Sequence, residues 1–225
     1  MRIPARFIGF LAVFQSILFL VHIFLYETWT FSAAGNNLPS TSLLKIVLGA
    51  LSVSFLVASV LAFRHTNAVL RVFYRIAAVW LGLVSFLFFA AALSWIVFGI
   101  ALLAGWYADL HRVAEVLFGM ALLSGFFGVL NASLTRVRRI TVRLENLPEA
   151  WRGRKAALIS DLHLGHVRNG DFLRRIVAKV MKEKPDAVFV AGDLYDGTAI
   201  DAAQAAEPLR WFARAAGDVL CGGES

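Results

Sequence analysis

The chain has 225 residues, 59% of them hydrophobic, against about 45–50% apolar content in an ordinary soluble domain, so a wholly soluble globular protein is excluded. Its formal net charge of +7 is compatible with nucleic-acid binding. The basic residues cluster beside apolar runs, however, where membrane topology and anionic lipid account for them, so no nucleic-acid partner is expected. The single cysteine, Cys221, excludes an intrachain disulfide and any multi-cysteine zinc site.

A helix that crosses the hydrocarbon core needs about 20 apolar residues. Residues 7–26 supply the first, between Arg6 and Glu27. A cleaved secretory leader is the rival reading of this segment, but its apolar stretch is long for one and the best small-residue site, at Phe31-Ser32-Ala33, is poor. A second span covers 43–63 and stops at Arg64. The third begins after Arg75 and is assigned to 76–98; the charge-free run continues to Ala108, which implies a tilted helix or an interfacial extension around Trp95 to Trp106. A fourth covers 113–133. Residues 1–134 thus read as a four-helix membrane anchor.

Arginines lie before the first span, between the second and third, and after the fourth, whereas the intervening loops carry only Lys45 and Arg112. The positive-inside rule then puts both termini and everything after Arg136 in the cytoplasm. Gln15, His22 and Lys45 are the notable polar groups in or beside the first two spans. His22 sits near the end of the predicted span and Lys45 can snorkel, so an anchoring role is favoured over a relay.

After the spans, Ile140, Val142 and Leu144 alternate with Thr141, Arg143 and Glu145, the period-two pattern of a half-buried strand. Residues 156–159 read as a buried strand ending at Ser160-Asp161. Asn169-Gly170-Asp171 opens an amphipathic helix running to about Lys184, with Phe172, Ile176 and Val180 on one face and Leu173, Val177 and Met181 beside them. Pro185 stops it. Residues 187–191 form a second apolar strand ending in Gly192-Asp193, and a second amphipathic helix is expected over 199–216. The order strand, helix, strand, helix predicts parallel strands with their carboxyl ends on one edge of a sheet, the edge where ligands bind in open α/β folds.

That edge collects Asp161, His163 and Asp193. An extended backbone would turn Asp161 and His163 to the same side and Leu162 into the core. Oxygen and nitrogen donors of this kind suit a hard or borderline divalent ion. Gly192 permits a tight turn, and the Asp193 carboxylate has two oxygens with which to bridge ions about 3.5–4 Å apart. Asp196 and Gly197 read as turn residues, and His166 as a solvated side chain.

The pair of motifs, Ser160-Asp161-Leu162-His163-Leu164-Gly165 and Ala191-Gly192-Asp193-Leu194-Tyr195-Asp196-Gly197, resembles the calcineurin-like metallophosphoesterase superfamily, and with the spans it is similar to its membrane-anchored bacterial members. The resemblance implies a two-sheet α/β sandwich of which 135–225 is the first, βαβα part. It implies two divalent ions (Mn, Fe, Zn or similar), with Asp161 and His163 ligating the first, Asp193 bridging both, and Gly192 and Asp196 supporting the second motif. The implied activity is hydrolysis of a phosphomonoester or phosphodiester at a multi-pass bacterial inner membrane, and the basic face of Arg138, Arg139, Arg152, Arg154 and Lys155 suits a lipid-linked or nucleotide substrate, although the same charges serve topology.

The family's later motifs, an Asn-His pair and further histidines, are not found through Ser225. The resemblance therefore implies a C-terminally truncated or frameshifted domain, with the strand at 188–191 left as an unpaired edge. The alternative function is a catalytically inactive membrane protein or remnant with a partner-binding or structural role.

Overall fold

The computed structural model describes residues 5–32, 41–65, 67–107, 109–197, 201–212 and 219–222. The chain divides into two compact units, Met1–Val60 with Val72–Ser133, and Leu61–Arg71 with Leu134–Ser225.

The first unit is built from four long apolar helices, each long enough to cross a bilayer: α1 Ala5–Ser32, α2 Thr41–Ala62, α3 Ala68–Leu103 and α4 Leu110–Ser133. The third is one continuous helix of 36 residues, about 54 Å long at 1.5 Å per residue, so the long charge-free run is resolved as a single rod that begins before Arg71 and Arg75. Leu25, Leu87, Ala90, Ala91 and Ala121 form its inner contact cluster. Small residues there let helices approach closely, which is how helices associate where lipid removes the hydrophobic drive between them.

Polar side chains cross-link the bundle. Trp80 Nε1–H donates to His22 Nε2 at 3.0 Å, Trp95 Nε1–H to Thr28 Oγ1 at 3.0 Å, and Gln15 Nε2–H to the Ser52 carbonyl at 3.0 Å. His22 Nδ1–H donates to the Leu18 carbonyl at 2.7 Å. The helix continues past Tyr26, and His22 is only 4% exposed. It is therefore an interior, doubly bonded imidazole rather than the interfacial one expected from the shorter span.

The second unit holds a parallel sheet of order β1-β2-β3, with β1 Ala156–Ser160, β2 Ala187–Ala191 and β3 Val219–Gly222. Ala156 pairs with Ala187 and Ser160 with Ala191; Val188 pairs with Val219 and Ala191 with Gly222. The strand expected to be an unpaired edge, β2, is central, because Val219–Gly222 takes its free side.

Helix α5, Gly170–Lys182, joins β1 to β2. Asn169 caps it by accepting from the Phe172 N–H at 3.2 Å, a bond that satisfies one of the free first-turn donors. Its Leu173, Ile176 and Val177 pack with Ile159, Leu162, Leu164, Val188, Val190 and Phe212 into one core. Lys184 adopts a left-handed φ of 51° ahead of Pro185, which ends the helix.

Two further expectations are corrected. Residues 140–144 form no strand, and Ile140, Val142 and Leu144 are 73%, 65% and 61% exposed; alternation prepares a face, but a strand also needs a hydrogen-bonding partner, and none is paired with it among the described residues. The strand β1 is not fully buried: Ile159 enters the core while Leu158 is 73% exposed, as befits a strand covered on one face only. The second expected helix is helical over residues 202–212, as α6 Ala202–Ala206, a 3-10 turn Glu207–Leu209 with Pro208 in it, and α-helical residues 210–212. Proline lacks an N–H to donate within the helix. Residues 199–200 and 213–216 of that expected helix lie outside the described residues.

Candidate metal centre

Because β1 and β2 are parallel and end in register at Ser160 and Ala191, both chains leave the sheet at the same end. The ladder then continues into the loops. The Asp161 N–H donates to the Ala191 carbonyl at 3.1 Å, the His163 N–H to the Asp193 carbonyl at 3.0 Å, and the Leu164 N–H to the Leu194 carbonyl at 2.7 Å; the Asp196 N–H returns to the Leu164 carbonyl at 3.0 Å. The two sequence motifs are thus fastened backbone to backbone. Leu162 and Leu164 are buried beneath them, and Asp161, His163 and Asp193 are exposed.

The backbone at the first motif is not extended. Asp161 has φ 52° and His163 φ 45°, a left-handed conformation that costs roughly 1–3 kcal/mol at a non-glycine residue and persists only where its surroundings hold it. The simple rule that residues two apart face one side therefore does not apply. Asp161 and His163 are still neighbours of Asp193, but through cross-loop hydrogen bonds rather than through strand alternation.

Two glycines make room for carboxylates. Gly192 has φ 72°, and a Cβ there would collide with Asp161 Oδ1. A Cβ on Gly165 would occupy the place of the Asp196 carboxyl group. Asp196 thus has a defined seat against the first motif. Gly165 was not singled out from sequence, although it is the last residue of the first motif; the signal was a glycine directly after a short strand-end turn.

Two further residues were missed. Arg168 donates from Nη1 to the Asp161 carbonyl at 3.1 Å and the Leu162 carbonyl at 3.3 Å, with its guanidinium 5.4 Å from the centre of the Phe172 ring. It clasps the peptide that carries Asp161. His166, expected in solvent, is 1% exposed, and its Nε2–H donates to the Ala62 carbonyl at 3.0 Å. A buried imidazole with such a partner is a structural fastening of the loop.

The donor chemistry, two carboxylates and an imidazole on adjoining loops, suits a divalent ion. The geometry is less complete: among the described residues no three of the His, Cys, Asp and Glu side chains gather closely enough to cage an ion. Asp161, His163 and Asp193 share an edge and a hydrogen-bonded frame without converging on one point.

The likeness to known proteins falls on this region. Residues 154–221, less than half of the chain, match the calcineurin-like phosphoesterase family. The chain is 38% identical over 84 residues to a transmembrane protein with metallophosphoesterase domain from Danio rerio, an alignment covering 37% of this chain and 19% of that protein. The chain therefore corresponds to about a fifth of that relative's length. No solved structure matches. Four apolar helices describe a multi-pass membrane protein, and residues 154–221 of its second unit are similar to part of a metallophosphoesterase domain.

Proposed function

We propose that the chain carries the first metal-binding half of a membrane-anchored, metal-dependent phosphoesterase, which hydrolyses a phosphomonoester or phosphodiester on the cytoplasmic side of the membrane. The observation that supports it most is the pair of fastened loops, with left-handed φ at two potential ligands. Strain of that kind collects where a side chain must be aimed rather than merely accommodated. Asp161, His163 and Asp193 are the residues that would hold a divalent ion here. Asp196, seated against Gly165, fixes the second loop, and Arg168 fixes the first. A divalent ion would supply there a Lewis acid that neutralises charge on the phosphoryl oxygens.

The basic residues do not single out a substrate. Arg139 is bonded to Glu183, Arg152 to Glu149 and Arg154 to Asp186, so three of the cations that suggested a lipid-linked or nucleotide phosphoester already have carboxylate partners. The uncaged geometry of the three donors favours a second reading, in which the region binds a partner without hydrolysis.

Manganese binding to the reconstituted full chain, followed by the electron paramagnetic resonance of the free ion, discriminates between the two. Retention of Mn2+ that is lost in Asp193→Asn, together with hydrolysis of bis-p-nitrophenyl phosphate that is lost in the same variant, is the expected result. Equal Mn2+ retention by the two proteins means that Asp193 is not a ligand, and binding without hydrolysis favours the partner-binding reading.

A further inference from the structure

Helix α4 ends at Ser133, and residues 134–145 follow it directly with four arginines, at 136, 138, 139 and 143, against one acid, Glu145. All twelve are exposed. Two of them are tied to α5: the Thr135 carbonyl accepts from Lys179 Nζ at 2.8 Å, and Arg139 makes a two-pronged bond with the Glu183 carboxylate at 2.8 and 2.7 Å. Both lie at odd positions. The even positions read Leu134, Arg136, Arg138, Ile140, Val142 and Leu144, two of them basic and four apolar, and Arg143 lies between the last two.

We propose that residues 134–145 are a strap that lies on an anionic lipid surface, with Arg138 and Arg143 paired to headgroup phosphates and Ile140, Val142 and Leu144 seated at the headgroup–acyl boundary. Three observations carry this. The segment continues covalently from a membrane-spanning helix, and twelve residues reach at most about 40 Å even fully extended. Its charge is complementary to an anionic leaflet, where each arginine near the surface strengthens attachment by about five-fold. Its apolar side chains are exposed although topology alone requires only the positive charges.

A second copy of the chain is the competing occupant, since an unpaired alternating segment can add to another strand. Pairing two such segments would set arginine rows close to one another, and like charges facing across a ladder are destabilising. Lipid phosphate removes that penalty and a second copy does not.

The test uses the full chain with Cys221→Ser, Ile140→Cys and an environment-sensitive NBD fluorophore at position 140, reconstituted into vesicles. The neutral vesicles are phosphatidylcholine; the anionic ones mix phosphatidylcholine and phosphatidylglycerol at about seven to three. Emission should shift to the blue and rise by about two-fold in the anionic vesicles, and high salt should reverse the change because exposed charges are screened. In Arg138→Gln/Arg143→Gln, which spares the Arg139–Glu183 bond, the two losses together weaken the strap's attachment by about twenty-five-fold and the emission should return to its neutral-vesicle value. A label at Val142→Cys should report the same pattern, which guards against a local effect of the substitution at 140. Emission indifferent to lipid charge at both labels overturns the proposal. So does emission that follows the number of protein copies per vesicle at fixed lipid composition, which assigns the segment to a second copy.

Discussion

The polar groups of the helical unit and those of the sheet edge are handled in opposite ways. In the helices, His22, Trp80, Trp95 and Thr28 are bonded to one another across the bundle or back to their own helix, so these four close bonds that lipid could not supply. At the sheet edge the two loops are hydrogen-bonded backbone to backbone, while Asp161, His163 and Asp193 are exposed and two of the three sit on left-handed backbone. Satisfaction without strain builds a mount. Strain combined with exposed donors is what a ligand site requires, and that contrast is the ground for the proposed site.

The largest expected effect sharpens the contrast by asking what holds the edge in place. Leu173 is fully buried in the core beneath the two loops, and Leu173→Ala should cost about 2–5 kcal/mol, seen as accelerated hydrogen exchange throughout β1 and β2. Leu123, 71% exposed on α4, offers the counterpart: Leu123→Ala should leave exchange in the sheet unchanged.

A smaller effect is expected where strain and function oppose each other. His163→Gly removes the left-handed penalty at φ 45°, so exchange in the adjoining strands should slow by an amount worth about 1 kcal/mol, even as Mn2+ retention falls. If exchange instead speeds up as Mn2+ retention falls, the conformation is not strained for the sake of the side chain and the contrast fails. On the helical side, Trp80→Phe deletes the indole N–H bonded to His22 and should cost about 0.6 kcal/mol in the bilayer, read from the thermal denaturation of the reconstituted chain.

The mildest prediction concerns pH. Backbone bonding from the Lys155 N–H and the guanidinium of Arg154 hold Asp186 below the usual carboxylate range, and Arg139 does the same for Glu183. Depressed carboxylates contribute stability that is fully present above their unfolded-state values and is lost as pH falls through the folded-state ones. Exchange protection of β1 and the start of β2 should therefore be flat near neutrality and decline only under acid conditions, modestly because these groups are at the surface. A decline that begins at neutral pH would point to a histidine instead.

Much of this was legible in the sequence. Charge-free length marks the spans, and the strand-helix-strand pattern with Asn169 and Pro185 as its stops places α5 between β1 and β2. Asp161, His163 and Asp193 reach a common edge because parallel strands must end together. What sequence could not supply was set by partners distant along the chain. Alternation at Ile140, Val142 and Leu144 says which side chains could share a face, not whether an edge is available to pair with. The left-handed turns at Asp161 and His163 arise from bonds to the neighbouring loop, and propensity gives no warning of them. His166 is buried by the Ala62 carbonyl, far away in sequence, and that contact has no local trace.

The sheet also carries a kinetic consequence. It has no hairpin: Ala156 finds Ala187, and Val188 finds Val219, so each ladder closes over roughly thirty residues, and ladders of such high contact order form slowly. In this unit α5 can appear early, with its own cap and basic residues in its last turn, although a helix of this length is marginal alone. During synthesis, β1 and its exposed Leu158 must then wait on the ribosome for a partner that has not yet been translated, and the two fastened loops cannot exist before it arrives.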